Sequence, residues 1–208
     1  MKQLSALPLL TAAALMMPAC TQILSAAMPP PGHDAKRAPA GTYMVETNHT
    51  QVIFSVLHLG FTQYYGNFSG VSGTLAYTPK HPADMSVSIS VPVASIQTTS
   101  PVLTSELKAP DWLDAATYPT MVFRSTKVTQ TGPNAADIDG TLTLHGVTKP
   151  LTLHATFIGD GMDFITHKQT IGFQLSGALK RSDFGVAKYV PVISDEVTLT
   201  IAAAFTKA

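Results

Sequence analysis

The chain is short of charge and almost without cysteine, and each shortage excludes something. Only 12% of its 208 residues are charged, about half the usual share, and 13 basic residues balance 13 acidic ones. There is no basic field for nucleic acid and no acidic tail. The single cysteine, Cys20, rules out an intrachain disulfide and any multi-cysteine metal site. The seven histidines include no pair at helical i, i+4 or strand i, i+2 spacing, although His145 and His154 flank one turn. Long amphipathic helices are missing, and so is a GxSxG elbow. Ser105-Glu-Leu-Lys108 matches a serine-x-x-lysine pattern, but Ser182-Asp183-Phe184 is not its partner motif and no lysine-threonine-glycine follows, which excludes that hydrolase.

What is present begins with an apolar run from Leu4 to Met17 behind Lys2, too short to span a membrane and of the length of an export signal. Met17-Pro18-Ala19-Cys20 resembles a bacterial lipoprotein cleavage box, so the signal is expected to cover residues 1–19 and Cys20 to be a lipid anchor. Ser25-Ala26-Ala27 offers a competing site that would extend the signal to 27 and release a soluble product. Either way the mature protein is expected in the bacterial periplasm, touching membrane only through Cys20. Residues 20–41, with Pro29-Pro30-Pro31-Gly32 and Pro39, read as a stiff Pro-rich linker ahead of a domain over 42–208.

From Tyr43 the strand signals arrive in order. Gln51 to His58 places Val52, Phe54, Val56 and His58 in one phase. The next segment, Asn67 to Tyr77, is flanked and punctuated by Gly66, Gly70 and Gly73, which suit a strand that must bend. Asp84 to Pro92 turns Met85, Val87, Ile89 and Val91 one way and serines the other. Residues 95–117 break the rhythm and predict one or two short helices in a long connection, the usual place of a lid or plug. Strands resume over Thr120–Val128 with Phe123, over Thr170–Lys180 with Phe173 and Leu175, and over Glu196–Phe205. Between the first two lies a hairpin: Ile138, Leu142 and Leu144 on one side, Leu151, Leu153, Ala155 and Phe157 on the other, with Gly146 and Pro150 in the connection.

About eight strands with one apolar phase each, and no helical layer, leave a sandwich or a barrel. An eight-stranded barrel is either filled by side chains or holds one small ligand. The pattern alone favours the packed core.

Taken in order, Tyr43–His49 leading into Val52–Gly60, Gly66–Gly70, Tyr118–Pro119 leading into Phe123–Thr126, the Gly140–Pro150 hairpin, and Arg181-Ser182-Asp183-Phe184-Gly185 resemble the YceI-like family. The likeness covers nearly the whole mature chain and departs at Leu103–Lys108, where the family usually carries an arginine-aspartate-x-histidine-leucine type sequence. It implies an all-β, extended eight-stranded antiparallel barrel of lipocalin-like shape. It further implies a periplasmic protein that is not an enzyme, with no cofactor, enclosing a long-chain amphiphile: a polyisoprenoid, an isoprenoid quinone or a fatty amide. The expected ligand-binding wall is Val52, Phe54, Val56, His58, Met85, Val87, Ile89, Phe123, Leu142, Phe173 and Leu175. His58, at its strand's end, is the expected contact for the head, since a neutral imidazole can hydrogen-bond an oxygen. Arg124 is out of phase and expected outward, and Arg181 with Asp183 is read as a loop-fixing ion pair. A packed β-domain serving as a ligand-free protein-interaction or stress-related envelope module is the alternative. Whether two barrels pair as a homodimer is left open.

Overall fold

Two-residue alternation folds each apolar row into one wall of a closed sheet. The computed structural model describes residues 30–208; the expected export signal, the two expected cleavage sites and Cys20 lie outside them. The strands are β1 (Gly41–Val45), β2 (Gln51–His58), β3 (Thr62–Phe68), β4 (Ser72–Tyr77), β5 (Ser86–Pro92), β6 (Gln97–Thr98), β7 (Thr120–Gly132), β8 (Ala135–Leu144), β9 (Val147–Met162), β10 (Gln169–Lys180) and β11 (Glu196–Lys207). Every pairing is antiparallel.

Six of these strands join end to end. β1 and β2 follow one another along β11, with Val45 opposite Phe205 and Val52 opposite Ile201. Their partners β4 and β3 continue each other in the same way, as do β5 and β6 beyond them. Three bent staves and the five long strands β7 to β11 therefore make an up-and-down barrel of eight, closed by the β1–β11 pairing. Closure removes the sheet edges that would otherwise template aggregation. The first stave bends through a 3-10 turn at Thr47–His49, where the Glu46 carboxylate accepts from the Asn48 and His49 backbone amides. The second bends at Gly70 and Gly73, whose φ angles of 67° and 145° no β-branched residue would tolerate.

The β8–β9 hairpin turns on His145 and Gly146, both at positive φ (51° and 75°), the backbone twist that suits a two-residue loop. β9 thus starts at Val147, earlier than Pro150 suggests. Pro150 sits inside the strand opposite Thr141, and the β9–β10 ladder does not begin until His154 meets Ser176, so the ring blocks no donor that a neighbour needs.

The irregular connection after β6 contains α1 (Pro101–Glu106), the one α-helix among the described residues, capped by Ser100 Oγ on the Leu103 amide with Pro101 in its first turn. It lies over the same barrel end as the 181–195 loop. The His58–Ile193 bridge, the Lys188–Asp111 ion pair, and the Tyr118 ring packed 4.8 Å from His145 bind that end together.

The opposite end is closed by residues 31–40. Composition marks this stretch as linker, yet Gly32 bridges Asp160, Ala38 is 2% exposed, and the Tyr77 and Tyr43 hydroxyls donate to the Ala35 and Pro39 carbonyls at 2.7 Å. Two deep tyrosines need acceptors, and this segment supplies them. Behind it Tyr77, Phe157 and Phe205 ring Phe173 at centroid distances of 6.1, 5.5 and 6.1 Å.

Candidate functional site

Between the packed ends the barrel is not filled. Leu142, Leu144, Leu151, Leu153 and Phe123 are buried in one cluster with Trp112, Phe184 and Val186, and the aromatic plug forms a second. Midway between them Val52, Phe54, Val56, Val87, Ile89, Leu175, Leu199 and Ile201 point inward and yet are only partly buried. Inward side chains keep exposure only if there is space inside. That space is a cavity of about 420 Å³, within the range of small-molecule sites.

All eleven residues of the expected wall border this one cavity. Val52, Phe54, Val56 and His58 come from β2, Val87 and Ile89 from β5 with Met85 just ahead of it, Phe123 from β7, Leu142 from β8, and Phe173 and Leu175 from β10. Two glycines make room for the rings, because a Cβ at Gly66 or Gly140 would fall 2.3 Å from Phe54 or 2.5 Å from Phe123.

Polar groups gather at the mouth. His58 is exposed there, its ring tilted against Tyr64 at 6.1 Å. The Tyr64 hydroxyl meets Thr99 Oγ1 at 3.2 Å, and hydrogen bonds with Thr98 and Thr99 lower its pKa. Glu106 and Tyr189 complete the rim with Leu103 and Leu107 of the departing segment. Sequence periodicity had no means of finding these, since they come from an irregular connection and a loop. Only the long-connection signal pointed there.

Arg181 is 6% exposed and also borders the cavity. Nε donates to Ser194 O at 2.9 Å, Nη1 to Val186 O and Lys188 O at 2.8 Å each, and Nη2 to Ile193 O at 2.9 Å. It fixes the loop, but through carbonyls. Asp183 is exposed and forms no ion pair with it; the carboxylate that this loop engages is Asp195, which accepts from the Ser182 amide and hydroxyl at 2.9 and 2.7 Å. Backbone acceptors suffice because the loop curls around the guanidinium. Burial pushes its pKa down from the ordinary arginine value, and Asp195 opposes that.

The other candidates fall elsewhere. Arg124 is exposed on the outer face while Phe123 is 7% exposed. His145 Nδ1 meets Phe184 O at 3.1 Å, and His154 Nδ1 meets Asp137 Oδ1 at 2.7 Å, so the two histidines serve separate structural contacts. Ser105 is exposed on α1, and Ser182 is engaged by Asp195.

Comparison with known proteins agrees with this geometry. The family model described as the YceI-like domain matches residues 43–205. Protein YceI of Escherichia coli O17:K52:H18 is 37% identical over 169 residues, 80% of this chain and 87% of that one. Among solved structures, the Campylobacter jejuni YceI protein superposes with a TM-score of 0.65 at 29% identity, over 73% of this chain and 89% of that one. A polyisoprenoid binding domain from Saccharophagus degradans, implicated in plant cell wall breakdown, shares the fold at a TM-score of 0.60 and 13% identity, over 82% of this chain and all (100%) of that one. Closed barrel, half-empty lumen and matched motifs run together along one continuous stretch, and the chain belongs to the YceI-like family.

Proposed function

We propose that this protein is a periplasmic carrier that sequesters a long-chain amphiphile, with a polyisoprenoid, isoprenoid quinone or fatty amide chain lying in the barrel lumen. One observation carries the reading: inward apolar side chains around a cavity of about 420 Å³ that they do not fill. A packed β-domain would bury those side chains against each other. The polyisoprenoid binding described for the Saccharophagus degradans domain of the same fold supports the ligand class.

Passive solvation is mechanism enough. Each methylene moved from water into such a lumen contributes about 0.8 kcal/mol, so a few isoprene units offset the cost of ordering the chain. The eleven wall residues make these contacts, the Phe173 plug stops the chain, and His58 stands where the head emerges. Binding rather than catalysis is the task that the YceI-like family and the polyisoprenoid binding domain of the same fold support.

Lipid extraction of the purified protein should release a long-chain amphiphile, and the stripped protein should take up added isoprenoid. An empty protein that refuses isoprenoid contradicts the carrier. Attachment through Cys20 is part of the proposal, motivated by the lipoprotein-like box around it. Cys20→Ser should move the protein from membranes to the soluble fraction, and unchanged fractionation would remove the anchor from the account.

A further inference from the structure

Apart from Met44, the large apolar side chains left in water gather at the two ends of the barrel. At the mouth end they come from the β2–β3 hairpin, α1 and the 181–195 loop, with Phe61 84% exposed. At the plug end they crowd around one tight turn. Residues 163–168 join β9 to β10, and Met162, Phe164 and Ile165 are exposed there, Ile165 at 83%. The Asp163 carboxylate accepts from the Ile165 and Thr166 amides at 2.8 and 2.6 Å. The turn's one acid is thus spent on its own backbone, while Lys168 stays exposed. Ile158, also exposed, extends the apolar surface toward His33, whose Nδ1 meets the Ile158 carbonyl at 2.8 Å.

This tip lies where the amino-terminal segment joins the barrel. Gly32 and Asp160 exchange backbone hydrogen bonds at 2.7 and 2.9 Å, and a Cβ on Gly161 would lie 3.8 Å from Pro31. The connection toward Cys20 therefore departs beside Met162, at the end opposite the mouth. Ten residues separate Cys20 from Pro30, and a chain of that length reaches at most about 35 Å. The twelve-residue β10, tilted as barrel strands are, spans about 30 Å of the barrel axis. A barrel anchored at Cys20 and standing on its mouth would need that tether drawn almost straight along the whole wall, which costs chain entropy. Standing on the plug end needs no such extension. It also moves the turn's apolar side chains from water into the bilayer interface, which is favourable in itself.

We propose that Met162, Phe164 and Ile165 form a membrane-contact tip that seats the barrel plug-down on the bilayer holding Cys20, with the mouth facing away from it. The inference rests on the Cys20 anchor and adds an orientation to it. Ligand then enters and leaves on the aqueous side instead of passing directly out of the anchoring bilayer.

Ile165→Trp and Phe61→Trp test it as a matched pair, since the two positions are almost equally exposed, at opposite ends, and neither side chain is packed. The processed protein isolated from membranes is reconstituted into vesicles of phosphatidylethanolamine and phosphatidylglycerol, with or without brominated acyl chains. Tryptophan emission is read against the parent protein, whose Trp112 is common to all samples. Bromine should remove about half or more of the emission added by Ile165→Trp and less than about a tenth of that added by Phe61→Trp, because only a ring seated at the membrane interface meets the quencher. Quenching at 61 and not at 165 overturns the proposal by reversing the barrel. Equal quenching overturns it by laying the barrel on its side, and quenching at neither by lifting the tip off the bilayer. A parent protein that is absent from membranes ends the Cys20 anchor, and the orientation with it; in the other outcomes the protein is bound, so the two failures are told apart.

Discussion

Gly66 and Phe54 face each other across β2 and β3, and a Cβ on the glycine would stand 2.3 Å from the phenyl Cζ. The ring lies where a side chain at 66 would have been. Gly66→Ala should therefore push Phe54 into the lumen, destabilise the barrel by about 1–3 kcal/mol as overpacking does, and reduce isoprenoid uptake. Urea unfolding and an uptake assay read the two effects. An alanine variant of unchanged stability and capacity would mean that the lumen wall is looser than this contact implies.

Ile89 is only partly buried although it points inward, whereas Leu142 is 9% exposed within a packed cluster. Tryptophan at the first position has space to enter, and at the second it has much less. Ile89→Trp should block ligand uptake with stability within about 1 kcal/mol of wild type, while Leu142→Trp should also cost about 1–3 kcal/mol. Chemical denaturation of both variants decides the point, and a strong loss at Ile89 would indicate a packed core there.

Tyr77 is 3% exposed, and burial, reinforced by Tyr43, Asp160 and Asp34, raises its pKa to about 12. Tyr43 is shifted in the same direction, by burial first and Asp160 second. In the unfolded chain a tyrosine releases its proton near pH 10, whereas here the folded state holds it to about 12. The folded state then binds more protons over that window, so stability is intact below about pH 10 and declines as pH rises toward 12. Urea midpoints measured from pH 8 to 11.5 should fall at the alkaline end. Tyr77→Phe should flatten the fall, and an identical alkaline profile for that variant would remove Tyr77 from the explanation.

Arg181 and Asp183 are expected to behave very differently despite their adjacency. Removing the guanidinium in Arg181→Met strands four carbonyls that it now satisfies, at a cost of about 2–5 kcal/mol. Asp183→Ala removes an exposed carboxylate and should change stability by less than about 0.5 kcal/mol. Thermal unfolding of the pair separates carbonyl capture from an ion pair; comparable losses at both sites would restore the ion pair.

The contrast between these two residues also explains what was legible in the sequence. Alternation over Asp84–Pro92 and along the Asp139–Phe157 hairpin revealed the wall, because inward and outward residues differ in kind at every second position. His58 was legible as a continuation of the same phase. Arg181's partners were not, since four backbone carbonyls leave no trace in residue identity. The mouth was hidden for a different reason: β2, α1 and the 181–195 loop meet there only after the barrel closes. Residues 31–40 read as linker because proline and glycine advertise extended chain, while the need they meet belongs to Tyr43 and Tyr77, which lie on strands of their own. Trp112 lies in the irregular connection, and its lone N–H is a property of surroundings that residue identity does not record.

The central claim is that the lumen holds a chain, and native mass spectrometry of the protein purified without detergent tests it most directly. A carrier predicts a mass above that of the polypeptide, lost on solvent extraction and restored by an added isoprenoid amphiphile. A bare polypeptide mass that no such amphiphile alters would contradict it.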